Sequence, residues 1–113
     1  MKKYIKQFYG KKPLKNKYYV RIIHDKHFNR LCRFLTNGTI IHDGKINNEH
    51  LLIEPTLLDE ITWNDAIMQE EIFGPILPIL TFDNLDEVVS TVTHNDKSLA
   101  LYYFSSKEKT RII

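Results

Sequence analysis

The residues of this chain able to do chemistry are one thiol, five imidazoles, a lysine-rich N-terminus and a carboxylate two positions before an aromatic ring. Cys32 falls on the apolar stripe of a predicted helix, with Arg30 and Arg33 close in sequence but not facing it, so it reads as a buried structural thiol rather than a nucleophile. Of His24, His27, His42, His50 and His94 only the first two are closely spaced. No acid or further cysteine completes a metal-ligand set, so no residue is assigned to a metal. Lys2, Lys3, Lys6, Lys11, Lys12, Lys15 and Lys17, interleaved with Tyr4, Phe8, Tyr9, Tyr18 and Tyr19, could be taken for a nucleic-acid patch. They read better as a helix with a solvated lysine face followed by a loop. Taken alone, Glu71-Ile72-Phe73-Gly74-Pro75 is an ordinary lead into a strand, with Glu71 solvated and Phe73 in the core.

The elements that must carry these groups are legible from periodicity. Tyr4, Ile5 and Phe8 mark a short helix over Lys2 to Phe8, closed by Gly10 and Pro13. Phe28, Leu31, Cys32 and Leu35 recur at helical spacing over Asp25 to Asn37, with Asp25 as N-cap and Asn37-Gly38 as a left-handed stop. Gly38 to Gly44 reads as a strand closed by an Asp-Gly turn, and Leu51 to Ile53 as another. Pro55 assigns Leu57 to Ile61 to an edge or extended segment. Asp65 to Glu71 is a helical turn capped by Asn64 or Asp65. Ile76 to Phe82 is a strand in which Pro78 marks an edge or bulge. Asn84 to His94 is an amphipathic helix with Leu85, Val88, Val89 and Val92 on one face and Asp86 and Glu87 in its first turn. Leu99 to Phe104 is nearly all apolar, the pattern of a strand covered on both faces. Ser105-Ser106 then starts a helix from Lys107. The expectation is an α/β chain with a mostly parallel sheet, a βαβ unit over 76–104 and flanking helices, forming one domain over 1–113 that is truncated at both ends.

The segment Met68-Gln69-Glu70-Glu71-Ile72-Phe73-Gly74-Pro75 resembles the cofactor-contacting motif of NAD(P)-dependent aldehyde dehydrogenases, read around Glu-x-Phe-Gly-Pro. Arg21-Ile22-Ile23 with His27-Phe28 is similar to that family's helix after the catalytic strand. Glu54-Pro55-Thr56-Leu57-Leu58 is similar to its Pro-Thr segment, and Leu99 to Ser106 to the strand and helix start that follow. Order and spacing agree from about Tyr4 onward, and the likeness is to the class 3, fatty-aldehyde branch.

The resemblance implies oxidation of an aldehyde to a carboxylic acid through a cysteine thioester, with hydride passing to NAD or NADP. It implies that Glu71 accepts hydrogen bonds from the ribose hydroxyls at the nicotinamide end and that Phe73 walls the nicotinamide ring. The family's nucleophile, in a Gly-Gln-x-Cys setting, its general-base glutamate, its dinucleotide fold and its Pro-Phe-Gly-Gly segment do not occur in these 113 residues. No residue here is therefore assigned to catalysis. The chain alone is expected to be inactive, with weak or no cofactor binding. The alternative is a non-enzymatic interaction module or half of a split enzyme that docks on a complementary chain, and a homodimer is expected where no such partner is present.

Composition bounds the rest. Hydrophobic residues at 42% and charged residues at 27% are ordinary for a globular protein, and a net charge of +2 carries no global field toward nucleic acid. A single cysteine, no apolar run of membrane-spanning length and an N-terminus without an apolar core lead to the expectation of a cytoplasmic protein.

Overall fold

In the computed structural model, which describes residues 1–106, the chain divides into two compact units, Met1–Leu80 and Thr81–Ile113. Within the first, helix α1 (Lys2–Tyr9) is followed by a 3-10 turn at Pro13–Lys15 and by helix α2 (Asp25–Phe34). Strands β1 (Thr39–His42), β2 (Ile46–Asn47), β3 (Leu52–Ile53), β4 (Thr56–Asp59) and β5 (Ile76–Pro78) come next, with a second 3-10 turn at Ala66–Met68 before β5.

Helix α2 anchors the unit. Phe28, Leu31 and Phe34 are its buried face, meeting Ile53, Leu58, Ile61, Ile67 and Ile76, while Cys32 and Leu35 pack against this core from its margin. The predicted stripe thus rotates slightly toward Phe34. Each fully buried side chain of this size contributes about 1.5–3 kcal/mol relative to exposure.

Both predicted caps of α2 differ in detail. His24, with extended backbone, occupies the N-cap, and Asp25 is the first helical residue, where its charge complements the helix dipole. Neither Asn37 nor Gly38 has positive φ. The helix stops by tightening, through bonds from Leu35, Thr36 and Asn37 N–H to the carbonyls of Cys32, Arg33 and Phe34. Asn37 instead accepts from the Ile67 N–H at 3.0 Å. Gly38 is set by proximity, since a Cβ there would lie 2.3 Å from the Asp59 carbonyl oxygen.

The sheet order is β1-β4-β5, with β1 and β4 antiparallel and β4 and β5 parallel, while β2 and β3 form a separate antiparallel pair. The α/β class and the parallel pair are as expected, but the ladders are mixed rather than mostly parallel. β4 is central, not an edge: Thr56, Leu57 and Leu58 are all buried. Pro55 precedes the ladder, so its missing N–H removes no bond. Pro78 lies on the edge strand β5, where a missing donor is tolerated. The Asp43-Gly44 turn after β1 has positive φ at both residues.

In the second unit, α3 (Leu85–His94) forms where a helix was predicted, and its N-cap is Asn84, whose Oδ1 accepts from the Asp86 N–H at 2.8 Å. The strand expected over Leu99 to Phe104 is not formed, so the βαβ unit is incomplete. Leu99, Leu101, Tyr102 and Phe104 are exposed, Leu99 fully. A strand apolar on both faces requires a ladder partner and cover on each side, and the described residues supply neither. The helix start predicted from Lys107 lies outside the described residues.

Candidate functional site

The loop from Glu70 to Pro75, between the Ala66–Met68 turn and β5, is held by two side chains of α2. His27 and Arg30 stand three positions apart and so share one helix face, beside the Phe28 and Leu31 that plant the helix in the core. Arg30 donates through Nη2 to the Ile72 carbonyl at 2.5 Å, through both Nη atoms to the Glu71 carbonyl at 3.4 Å, and through Nη1 to the Glu70 carboxylate at 2.8 Å. His27 Nε2 lies 2.7 Å from the Phe73 carbonyl oxygen, and Arg30 Nε donates to His27 Nδ1 at 3.3 Å. A carbonyl only accepts and a guanidinium only donates, so this pattern requires the neutral imidazole with its proton on Nε2.

The Arg30–Glu70 ion pair is solvated on the glutamate side, with 58% of that side chain exposed, and contributes little by itself. The bonds to successive carbonyls matter more, because they orient peptide planes. At the far end of the loop Phe73 has φ 49°, a rare value for an aromatic residue. The next residue is a glycine in close quarters: a Cβ on Gly74 would lie 2.6 and 2.7 Å from the two methyls of Leu31, which would have to shift. The Pro75 carbonyl then accepts from the Thr56 N–H at 2.8 Å, carrying the chain into β5.

Both residues singled out from the sequence, Glu71 and Phe73, thus lie two positions apart on a tethered backbone with exposed side chains. Phe73 is 69% exposed, so its alternative assignment to the core does not hold. Among the described residues the Glu71 carboxylate has no hydrogen-bond partner, and it is exposed. An open carboxylate beside an open aromatic ring suits a ligand carrying a diol next to a flat ring.

The other candidates are placed elsewhere. Cys32 is half-buried on α2, and its desolvation pushes the thiol above the ordinary range, away from the thiolate a nucleophile needs. Tyr19, from the lysine-rich segment, donates to the Ile53 carbonyl at 2.6 Å and packs edge-on against Tyr9, a structural pairing. Among the described residues no three His, Cys, Asp or Glu side chains converge as a metal site. Sequence reasoning weighed His27 and Arg30 only in other connections. Their shared spacing on α2 was a signal, but their partners lie more than 40 residues away.

The chain is similar to known proteins along nearly its whole length. The model of the aldehyde dehydrogenase family matches residues 1–112. The chain is 44% identical over 110 residues to 4,4'-diaponeurosporen-aldehyde dehydrogenase of Staphylococcus aureus, covering 96% of this chain and 24% of that protein. It is 39% identical over 115 residues to aldehyde dehydrogenase family 3 member H1 of Arabidopsis thaliana, covering 98% and 24%. Among solved structures, the substrate-bound state of Staphylococcus aureus AldH superposes with a TM-score of 0.87 at 44% identity, covering 94% of this chain and 24% of that one. The chain thus spans about a quarter of the length of these relatives.

Proposed function

Because the chain belongs to the aldehyde dehydrogenase family, with class 3 members among its relatives, we propose that it is one part of an NAD(P)-dependent enzyme oxidising an aldehyde to a carboxylic acid. Its share of that activity is to hold the nicotinamide end of the cofactor. The observation that carries this reading is the pairing of the unpartnered Glu71 carboxylate with the exposed Phe73 ring on a loop tethered by His27 and Arg30.

In this role Glu71 accepts hydrogen bonds from the ribose hydroxyls, and Phe73 presents an apolar face to the nicotinamide ring. When bound, the cofactor supplies the hydride acceptor. Neither residue makes or breaks a bond, so both act by placement. The Gly-Gln-x-Cys nucleophile and the general-base glutamate are not among these 113 residues, and the chain alone performs no oxidation. Contacts at one end of a dinucleotide give weak affinity, on the order of 1 mM.

The second reading, docking on a complementary aldehyde dehydrogenase chain or a second copy, is favoured by the exposed apolar segment Leu99 to Phe104. Both units then belong to one catalytic domain. No helix among the described residues is long and apolar enough to cross a membrane, and the composition fits a cytoplasmic protein.

Titration of NAD+ into the 15N-labelled chain tests the cofactor reading. Amide shifts should concentrate at Glu71 to Gly74 and vanish in Glu71→Ala. Micromolar binding unaffected by Glu71→Ala would place the ligand elsewhere and defeat it.

A further inference from the structure

We propose that His27 is a positioning residue for the cofactor-contacting loop. Its Nε2–H, kept on that nitrogen by Arg30, holds the Phe73 peptide in the left-handed conformation that turns the Phe73 ring outward beside Glu71. The inference rests on the cofactor reading above and extends it to a residue of a different element.

Three observations converge. The left-handed φ of Phe73, 49°, is unfavourable for a bulky side chain and persists only where the surroundings over-determine it. Among the described residues, the side chain bonded to the Phe73 carbonyl is that of His27, at 2.7 Å. The neighbouring carbonyls of Glu71 and Ile72 are already taken by Arg30, and Gly74 is pressed against Leu31, so the loop is pinned on both sides of Phe73. His27 therefore controls the one peptide between those pins. Arg30 has a second function: by donating to Nδ1 at 3.3 Å it excludes the tautomer that would turn a lone pair toward the Phe73 carbonyl.

The side chain bearing this bond is not itself in the core. His27 is half-buried, whereas the adjacent Phe28 is 2% exposed and carries the packing. Replacing His27 thus removes the tether while leaving the anchor of α2.

Nuclear magnetic resonance of the whole chain tests this directly. A residue with positive φ gives a strong intraresidue Hα–HN cross-relaxation signal, and His27 ring nitrogens report their tautomer. In the native chain Phe73 should give that signal and His27 should carry its proton on Nε2. In His27→Ala the Phe73 signal should weaken to that of extended backbone, and NAD+ affinity should fall about fivefold, the net worth of one hydrogen bond. His27→Gln, whose amide nitrogen reaches the same position, should restore both.

A native His27 protonated on Nδ1, or a Phe73 signal unchanged in His27→Ala, overturns the proposal. So does equal NAD+ affinity in the native and His27→Ala chains. Should His27→Ala fail to fold, the native tautomer and the Phe73 signal in His27→Gln decide by the same criteria. If NAD+ moves no resonance of Glu71 or Phe73 in the native chain while the tether results hold, the cofactor reading falls and takes the positioning role with it. That pattern differs from failure of the tether alone.

Discussion

Leu31 fills the space that a side chain on Gly74 would need. Its methyls stand 2.6 and 2.7 Å from the Cβ position of that glycine, and Leu31 itself has no exposed surface. The loop bearing Glu71 and Phe73 therefore sits close against the core of the first unit at this glycine. Gly74→Ala should destabilise the chain by about 1–3 kcal/mol through overpacking. In a Leu31→Ala background, which by itself should lose about 2–5 kcal/mol, the added alanine should cost far less, because the cavity receives it. Urea unfolding of the four chains gives the coupling directly. Additive losses would show that the contact does not exist in solution.

Gly38 offers a harder version of the same test. The atom opposing its Cβ is the Asp59 carbonyl oxygen at 2.3 Å, and backbone cannot rotate aside. Gly38→Ala should thus cost at least as much as Gly74→Ala and should disturb β1–β4 pairing. Slower amide exchange at Thr39 and Ile40 in Gly38→Ala than in the native chain would contradict this.

Alkaline pH should unfold the chain through Tyr19. Burial, reinforced by Tyr9, Glu54 and Asp43, raises its phenol above the ordinary value of 10.0. In the folded state the proton is retained where the unfolded chain has lost it. Stability is accordingly complete below about pH 10 and declines as pH rises beyond it. Cys32, raised by desolvation, acts in the same direction from its ordinary value of 9.0 upward. Tyr19→Phe should cost about 1 kcal/mol near neutrality, from the lost bond to the Ile53 carbonyl, and should flatten the decline above pH ~10. An equally steep decline in that variant would assign the loss to other groups.

No aldehyde-dependent reduction of NAD+ or NADP+ should be measurable with the purified chain. Cys32→Ser should change nothing, since a thiol held in its protonated form on the margin of the core is a poor nucleophile. Turnover that disappears in Cys32→Ser would make Cys32 the nucleophile.

Association should follow the exposed apolar segment. Leu101 and Phe104 are 73% and 89% exposed, so the isolated chain should self-associate, with a symmetric dimer as the smallest closed form. Leu101→Lys combined with Phe104→Lys should shift the species toward monomer in light scattering at several concentrations. A monomer mass for the native chain throughout, with a well-dispersed amide spectrum, would defeat the idea.

Local patterns were readable from the residues alone. The helices over α2 and α3 and the Asp43-Gly44 turn each depend on neighbours within a few positions, and each is found close to its reading, with the α2 stripe turned slightly toward Phe34. The family likeness followed from the order of such segments. What required the tertiary structure involves distant partners. β4 is central because Ile76 and Thr39 flank it, despite Pro55. Leu99 to Phe104 remains outside any ladder because an apolar sequence cannot specify that a partner strand is there to meet it. Phe73 faces outward because His27 and Arg30, more than 40 residues earlier, take hold of the backbone around it. A side chain's type sets what it is able to bind, whereas its direction is decided by whatever folding brings against its peptide.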